Sequence, residues 1–215
     1  MTFPDWLLDA LRDARHVAVV TGAGASAESD VPTFRDSPGS IWAGFKPEEV
    51  ATREAFRRNP KMVWEWYALR RELLQRVQPN PGHAALAALE QHCPRVSLIT
   101  QNIDNLHQRA GSSAVIELHG NLLRTRCFDE DRLVETYQDD EVPPRCPRCG
   151  GLLRPDVVWF GEILPPAALA AASAAAATCD LFFSVGTSAV VYPAAGLALA
   201  ALQRGVPVVE VNPVA

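Results

Sequence analysis

One stretch constrains this chain more than any other. His16-Val-Ala-Val-Val-Thr21 is a compact, mostly β-branched run that ends directly in Gly22-Ala23-Gly24-Ala-Ser-Ala27-Glu28. Its length and composition read as a strand buried on both faces. The following G-x-G-x-x-A turn lacks side chains where the chain leaves the sheet. A diphosphate can therefore reach backbone amides at a helix N-terminus, where the dipole favours negative charge. Glycines also end strands for turn geometry alone, so the turn by itself leaves both readings open. An ordinary dinucleotide dehydrogenase would carry an acidic residue roughly 20 residues further on, at the end of its second strand. That distance reaches Trp42 and Phe45 with no strand before them, and the chain offers Val31-Pro-Thr33-Phe34-Arg35 instead.

Alternation continues beyond the turn. Apolar spacing predicts helices over 5–14, 60–77, 82–92, 166–178 and 193–203. Buried strands are expected at 95–100, 114–118, 155–160, 181–185 and 207–211. Strands that alternate with helices imply a parallel sheet covered on both faces. Between about 124 and 155 the pattern changes to charges, prolines, cysteines and a Gly150-Gly151 pair, which reads as an inserted module without a hydrophobic core of its own. With 215 residues, the chain has room for one domain carrying such an insert.

Composition narrows the function. Apolar residues at 48% and charged residues at 21% exclude a wholly disordered chain. A net charge of -5 argues against a phosphate-backbone binder, so no direct nucleic-acid partner is expected. No apolar run reaches the roughly 20 residues that span a bilayer, and the acidic, amphipathic start is unlike a signal peptide. No membrane partner and a cytoplasmic location are the expectation. Five cysteines, an odd number, argue against a disulfide framework; Cys146-Pro-Arg-Cys149 has metal-ligand spacing.

Four blocks then appear in one order: GAGASAESDVPTFRD (22–36), TQNIDNLH (100–107), LHGN (118–121) and GTSAVVYPAA (186–195). Together, with a Cys-x-x-Cys between the third and fourth, they resemble the sirtuins, the NAD-dependent protein lysine deacylases. The resemblance runs from about residue 13 to residue 213. It implies an α/β fold: a Rossmann-like parallel sheet with helices on both faces plus a small zinc-binding and helical insert. The nucleotide lobe would comprise 1–45, 79–123 and 155–215. The small lobe would comprise a helical insert, 46–78, and a zinc-ribbon-like module, 124–154.

The resemblance also implies roles. His119 would be the general base on the NAD ribose hydroxyls, which suits an imidazole near neutral pH. Asn102 would sit near the reacting centre, Gln101 on the ribose and Asp104 on the nicotinamide carboxamide; helix capping by Asn102 or Asp104 is a compatible local reading. Phe34 and Arg35 would cover the nicotinamide side and the diphosphate. The remaining NAD-binding set is Gly22, Ala23, Gly24, Ala27, Thr33, Trp42, Gly186, Thr187, Ser188 and Asn212. In the implied chemistry the acyl-lysine carbonyl oxygen attacks C1′ of the nicotinamide ribose and nicotinamide leaves. The acyl group ends on ADP-ribose, and no protein nucleophile is needed. Acylated lysine proteins are the implied partners, with their backbone added as a strand beside Val157–Glu162, at Val158, Phe160 and Gly161.

Tyr67 and Arg70 lie three apart on the predicted 60–77 helix, on one face. The pair resembles the sirtuin subfamily that removes succinyl and malonyl groups, where a guanidinium fork matches a carboxylate. Ala51 falls where that subfamily has a small residue widening the pocket. Desuccinylation or demalonylation beside deacetylation is the expectation.

The metal site departs from the family. Structural zinc takes four tetrahedral ligands, commonly two Cys-x-x-Cys pairs. Here Cys146 and Cys149 form one pair, but the partner of Cys127 is Glu130. The fourth ligand is open between Glu130, Asp129, Asp131 and water, as is a site without metal. Cys93 and Cys179 read as packed thiols. Two other functions use the same residues: a mono-ADP-ribosyltransferase, and an NAD- or acyl-lysine-binding protein without turnover. Sirtuins usually continue past Val211-Asn-Pro213 with a further helix and strand, which is expected to close over adenine.

Overall fold

The computed structural model describes residues 3–31 and 46–213. In chain order it contains α1 (Asp5–Asp13), β1 (His16–Thr21), a 3₁₀ turn (Ala23–Ser29), α2 (Pro47–Val50), α3 (Arg53–Arg58), α4 (Pro60–Arg76) and α5 (Pro81–Leu89). Then follow β2 (Arg95–Thr100), α6 (Leu106–Arg109), β3 (Val115–Glu117), β4 (Gly120–Cys127) and β5 (Leu153–Val157). The chain closes with α7 (Pro166–Thr178), β6 (Leu181–Val185), α8 (Ala195–Gln203) and β7 (Val208–Val211).

Among the described residues, five strands form one sheet in the order β3-β2-β1-β6-β7, and every pair is parallel. β1 is the central strand and is buried along its whole length, which is why Val17–Val20 is apolar. Val17 and Val19 point to one face, against Leu7 of α1, Leu98 and Leu181. Ala18 and Val20 point to the other, against Ala172, Ala175 and Ala176 of α7 and Leu197 of α8. Each buried aliphatic side chain contributes about 1.5–3 kcal/mol over its exposed state. The alanines of α7 let that helix lie close on the sheet.

Helix starts follow local chemistry. Asn59 caps α4 through the Met62 amide with Pro60 in the first turn, and Asn80 caps α5 in a reciprocal box with His83. The Asn80 amide also donates to the Ala25 carbonyl at 2.9 Å, so the start of α5 is tied to the glycine turn.

The expected strand over 155–160 is displaced. β5 ends at Val157 and pairs antiparallel with β4, outside the parallel sheet. Beyond it the chain turns: the Trp159 amide donates to the Glu162 carboxylate at 2.9 Å, and the Glu162 amide donates to the Trp159 carbonyl at 3.0 Å. β4 has no counterpart in the strand expectations. Its alternation is broken by a register shift between Asn121 and Thr125 and by outward Arg124. The 124–155 module buries its small apolar cluster against another element: Cys127, Cys146 and Leu153 pack on Trp64 of α4.

Candidate functional site

The C-terminal edge of the parallel sheet gathers the two glycine turns, Gln101, Asn102, Asp104, His119 and Asn212, as open α/β sheets do with ligand sites. The 3₁₀ turn after β1 lies against the turn after β6. A Cβ on Gly24 would come within 2.8 Å of the Gly186 Cα, and one on Gly186, whose φ is +59°, within 2.1 Å of the Ala25 nitrogen. Only glycine fits this crossing of two backbones. Ala23, Gly24 and Ala27 stay exposed on its outer surface. From β2, Gln101 Nε2 donates to the Thr187 hydroxyl at 3.1 Å, and Asn102 Nδ2 donates to the Gly22 carbonyl at 3.0 Å. Asn212 Nδ2 reaches the Thr187 carbonyl at 3.1 Å. The ends of β1, β2, β6 and β7 thus meet through side-chain amides.

Behind this surface is a buried polar network. Ser26 donates to Asp104 Oδ2 at 2.7 Å and accepts from Asn102 Nδ2 at 3.1 Å. Asp104 Oδ1 accepts from the Leu106 amide at 3.0 Å, a turn contact just ahead of α6; the cap position itself is Asn105, so neither Asn102 nor Asp104 is the N-cap that the local reading expected. The His83 and His107 rings meet at a tilt of 56° with centroids 4.7 Å apart, His83 toward Ser26 and His107 Nε2 2.9 Å from the Thr21 hydroxyl. Burial, and secondarily the neighbouring His83, push His107 down from 6.5 to about 4. Burial lowers His83 too, against the opposing pull of Asp104. A neutral folded imidazole binds fewer protons than the unfolded chain. The stability it contributes is complete above pH 6.5 and is lost as pH falls toward 4, roughly 3 kcal/mol in all. Thermal unfolding followed across that window should show a falling Tm, with a shallower slope in His107→Gln. An unchanged slope would place the acid lability elsewhere.

His119 leaves the sheet just after β3. Its Nδ1 is 2.9 Å from the Gln101 carbonyl. A carbonyl only accepts, so Nδ1 carries the proton and Nε2 keeps its lone pair. Burial lowers its pKa, partly offset by that hydrogen bond, so the imidazole is neutral at pH 7. Its own carbonyl accepts from the Val158 amide at 2.9 Å, which joins it to the segment after β5. Arg124 bridges Glu117 of β3 at 2.6 Å and Asp156 of β5 at 2.8 Å, which ties the two strands together.

A second wall faces that segment. The Phe160 amide donates to the Ala51 carbonyl at 2.9 Å. Tyr67 is buried, and its hydroxyl accepts from Trp159 Nε1 at 3.0 Å. Burial pushes the Tyr67 phenol up to about 12, so it keeps its proton. The Arg70 guanidinium lies 4.7 Å from the Trp66 ring and, being next to Tyr67, completes this wall. Ala51, Tyr67 and Trp159 share one apolar cluster. The amides of Val158, Trp159 and Phe160 already have internal acceptors, so strand addition at Val158 and Phe160 is limited to their carbonyl groups; Gly161 and Ile163 remain exposed beyond them.

The third cluster is in the inserted module. The ligand atoms of Cys127, Glu130, Cys146 and Cys149 all lie within 4.8 Å of one another. Roughly 3.8 Å separates thiolates around tetrahedral zinc, so the spacing fits. Amide donors from Cys149 and Arg148 hold the Cys146 thiol below its ordinary range.

The profile of the Sir2 family matches residues 22–193. The chain belongs to the Sir2 family. An "NAD-dependent protein deacylase" of Aquifex aeolicus is 54% identical over 200 residues, 92% of this chain and 83% of that protein. One from Methylococcus capsulatus is 51% identical over 222 residues, 99% and 87% of the two chains. A crystal structure of a Sir2 homologue–NAD complex superposes with a TM-score of 0.90 at 45% identity, covering 99% of this chain and 83% of that one.

The Sir2 residues expected at the site fall into three groups. Gly22, Gly24, Gln101, Asn102, Asp104, His119, Gly186, Thr187 and Asn212 converge on the sheet edge, with Ala23, Ala27 and exposed Ser188 on the same turns. Ala51, Tyr67, Arg70, Val158, Phe160 and Gly161 line the second wall. Thr33, Phe34, Arg35 and Trp42 lie outside the described residues. Sequence reasoning about this Sir2 chain missed Ser26, His83, Arg154 and Glu162. Ser26 and His107 stood inside quoted motifs without a role. His83 carried no signal beyond its place in the first turn of α5, because its partners come from 57 and 24 positions away in the chain.

Proposed function

We propose that this chain works as an NAD-dependent protein-lysine deacylase whose pocket takes succinyl and malonyl groups beside acetyl. The observation that carries the reading is His119: a neutral imidazole with its Nδ1–H on the Gln101 carbonyl, which leaves the lone pair on Nε2. The glycine turns fit a dinucleotide, since Ala23 and Gly24 present backbone on the exposed outer surface of the crossing and carry no large side chain over it. When bound, NAD supplies nicotinamide as leaving group and ADP-ribose as the acyl acceptor.

The chain's own residues would then divide the work. Gly22–Ala27 and Gly186–Ser188 hold the diphosphate, and Gln101 and Asn212 align the ribose and adenosine ends. Asn102 and Asp104 orient the reacting end, with Ser26 fixing both side chains. His119 Nε2 takes a ribose hydroxyl proton. The Phe160–Ile163 edge receives the acylated peptide and aims its lysine between Val158 and His119. Cys127, Cys146, Cys149 and Glu130 would hold a structural zinc that braces β4 and β5 behind this edge.

Mixing the protein with NAD and acetyl- or succinyl-lysine peptides tests the activity. Nicotinamide and O-acyl-ADP-ribose should appear together by mass spectrometry. ADP-ribose attached to protein, with acyl-lysine untouched, would overturn the reading.

The acyl class rests on Arg70 and protonated Tyr67 at the wall. A charged hydrogen bond to a carboxylate contributes about 1.5–3 kcal/mol. Arg70→Met should therefore lower kcat/KM for succinyl-lysine about 10- to 100-fold while acetyl-lysine turnover changes little. Equal turnover of the succinyl peptide by both proteins would remove the carboxylate clamp.

A further inference from the structure

We infer that Glu130, through Oε2, is the fourth ligand of the metal centre, held in place by Arg148, and that the resulting three-thiolate, one-carboxylate site exchanges its metal readily. The argument is one of repeated backbone. In the turn that carries Cys146 and Cys149, the Cys146 amide donates to the Gly151 carbonyl at 2.7 Å and the Gly150 amide donates to the Cys146 carbonyl at 2.9 Å. Gly150 has φ +75° and the Gly151 amide donates to Cys149 Sγ at 3.4 Å. The turn after β4 repeats this. The Cys127 amide donates to the Arg132 carbonyl at 2.9 Å, the Asp131 amide donates to the Cys127 carbonyl at 3.1 Å, and Asp131 has φ +53°. The Glu130 amide donates to Cys127 Sγ at 3.4 Å. Position by position, Cys127 matches Cys146, Asp131 matches Gly150, and Glu130 stands where the other turn has Cys149.

The side chains agree. Glu130 Oε1 takes Arg148 Nε at 3.2 Å, whereas Oε2 is buried with no hydrogen-bond partner. A carboxylate oxygen buried and unpartnered beside three thiols is costly unless a cation completes it. The neighbouring acids are engaged elsewhere. Asp131 pairs with Arg126 at 3.4 Å, and the Asp129 carboxylate packs over the Gly151 Cα. Arg148 acts on the metal only through Glu130, as a positioning residue, a role that commonly changes metal affinity 10- to 100-fold.

A carboxylate is harder than a thiolate and holds zinc less tightly. Cys149 is exposed and lines a cavity of about 510 Å³ with Asp129 and Gly151, so solvent and competing ligands reach the centre. Both features favour exchange.

The test uses the whole protein, zinc-loaded, and three variants. Titration with a chromogenic chelator should strip wild type at a concentration about 10-fold lower than Glu130→Cys. Glu130→Ala and Arg148→Gln should release zinc more easily still. Cobalt(II) substitution gives a readout independent of activity and of the alanine variant's folding. Thiolate-to-cobalt absorption of wild type and Glu130→Cys should stand in roughly a three-to-four ratio. Identical ligand-field bands of the cobalt-loaded wild type and Glu130→Ala, or equal chelator resistance in wild type and Glu130→Cys, would overturn the assignment. So would a wild-type protein that takes up neither metal.

Discussion

Replacing His119 with alanine should lower acyl-lysine turnover by about 10²–10⁴, the span that a positioned general base supplies. The side chain is half-buried and its one described hydrogen bond is to the Gln101 carbonyl, so folding should be nearly unchanged. Near-native Tm with lost nicotinamide release is the paired outcome that separates chemistry from stability. The pH profile adds a second reading. Burial lowers the His119 pKa, and the bond to Gln101 offsets only part of that. kcat/KM of the wild type should then rise with pH through a value below 6.5 and be flat above it. An alanine variant that kept a tenth or more of the activity would take the imidazole out of the reaction.

Glu162→Ala should be the most destabilising single change outside the apolar cores. Arg154 is fully buried, with its guanidinium 2.6 and 2.9 Å from the two Glu162 oxygens and 3.5 Å over the Trp159 ring. Glu162 also accepts the Trp159 amide and pairs with Arg53 at 3.2 Å. Deleting the carboxylate leaves a buried cation and an orphaned amide, a loss of about 3–5 kcal/mol, or a Tm lower by about 10 °C. Removing both partners, as in Arg154→Met with Glu162→Leu, should recover part of it, because no charge is then stranded. Urea unfolding of the three proteins measures this. Equal stability of Glu162→Ala and wild type would show that the pair is not a clamp on the 157–162 segment. Burial alone would raise the Glu162 carboxyl, but Arg154 and the Trp159 amide outweigh it and hold it below 4.5. Its contribution is therefore present above that pH and lost as pH falls further.

This clamp also marks where reading the chain in one dimension stops. Pro155–Phe160 looked like one strand because Val157-Val-Trp-Phe160 is an unbroken apolar run. The structure ends β5 at Val157 and curls Trp159 and Phe160 away, since Glu162 reaches back to the Trp159 amide. No periodicity records that bond. β4 was hidden for a related reason: its pairing with β5 shifts register, so inward and outward residues do not alternate cleanly. His83, buried against His107 and Ser26, belongs to the same class of contact, between residues distant in the chain.

What the sequence alone determined is the part set by local backbone chemistry and by order along the chain. β1 and its glycine turn, the parallel α/β alternation and the four motifs were legible because burial on two faces and turn geometry are written in adjacent residues. What only the tertiary structure decided is which groups meet. Tertiary packing set Asn102 on Ser26 and the Gly22 carbonyl, His119 on the Gln101 carbonyl, and Arg154 on Glu162. It also gave Glu130 the position that its partner turn reserves for a thiolate. Composition and spacing left the fourth ligand open between three acids and water, because Asp129, Glu130 and Asp131 are adjacent and chemically alike. The backbone turn at Asp131 separates them, aiming one carboxylate at the thiols and sending its neighbours to Arg126 and Gly151.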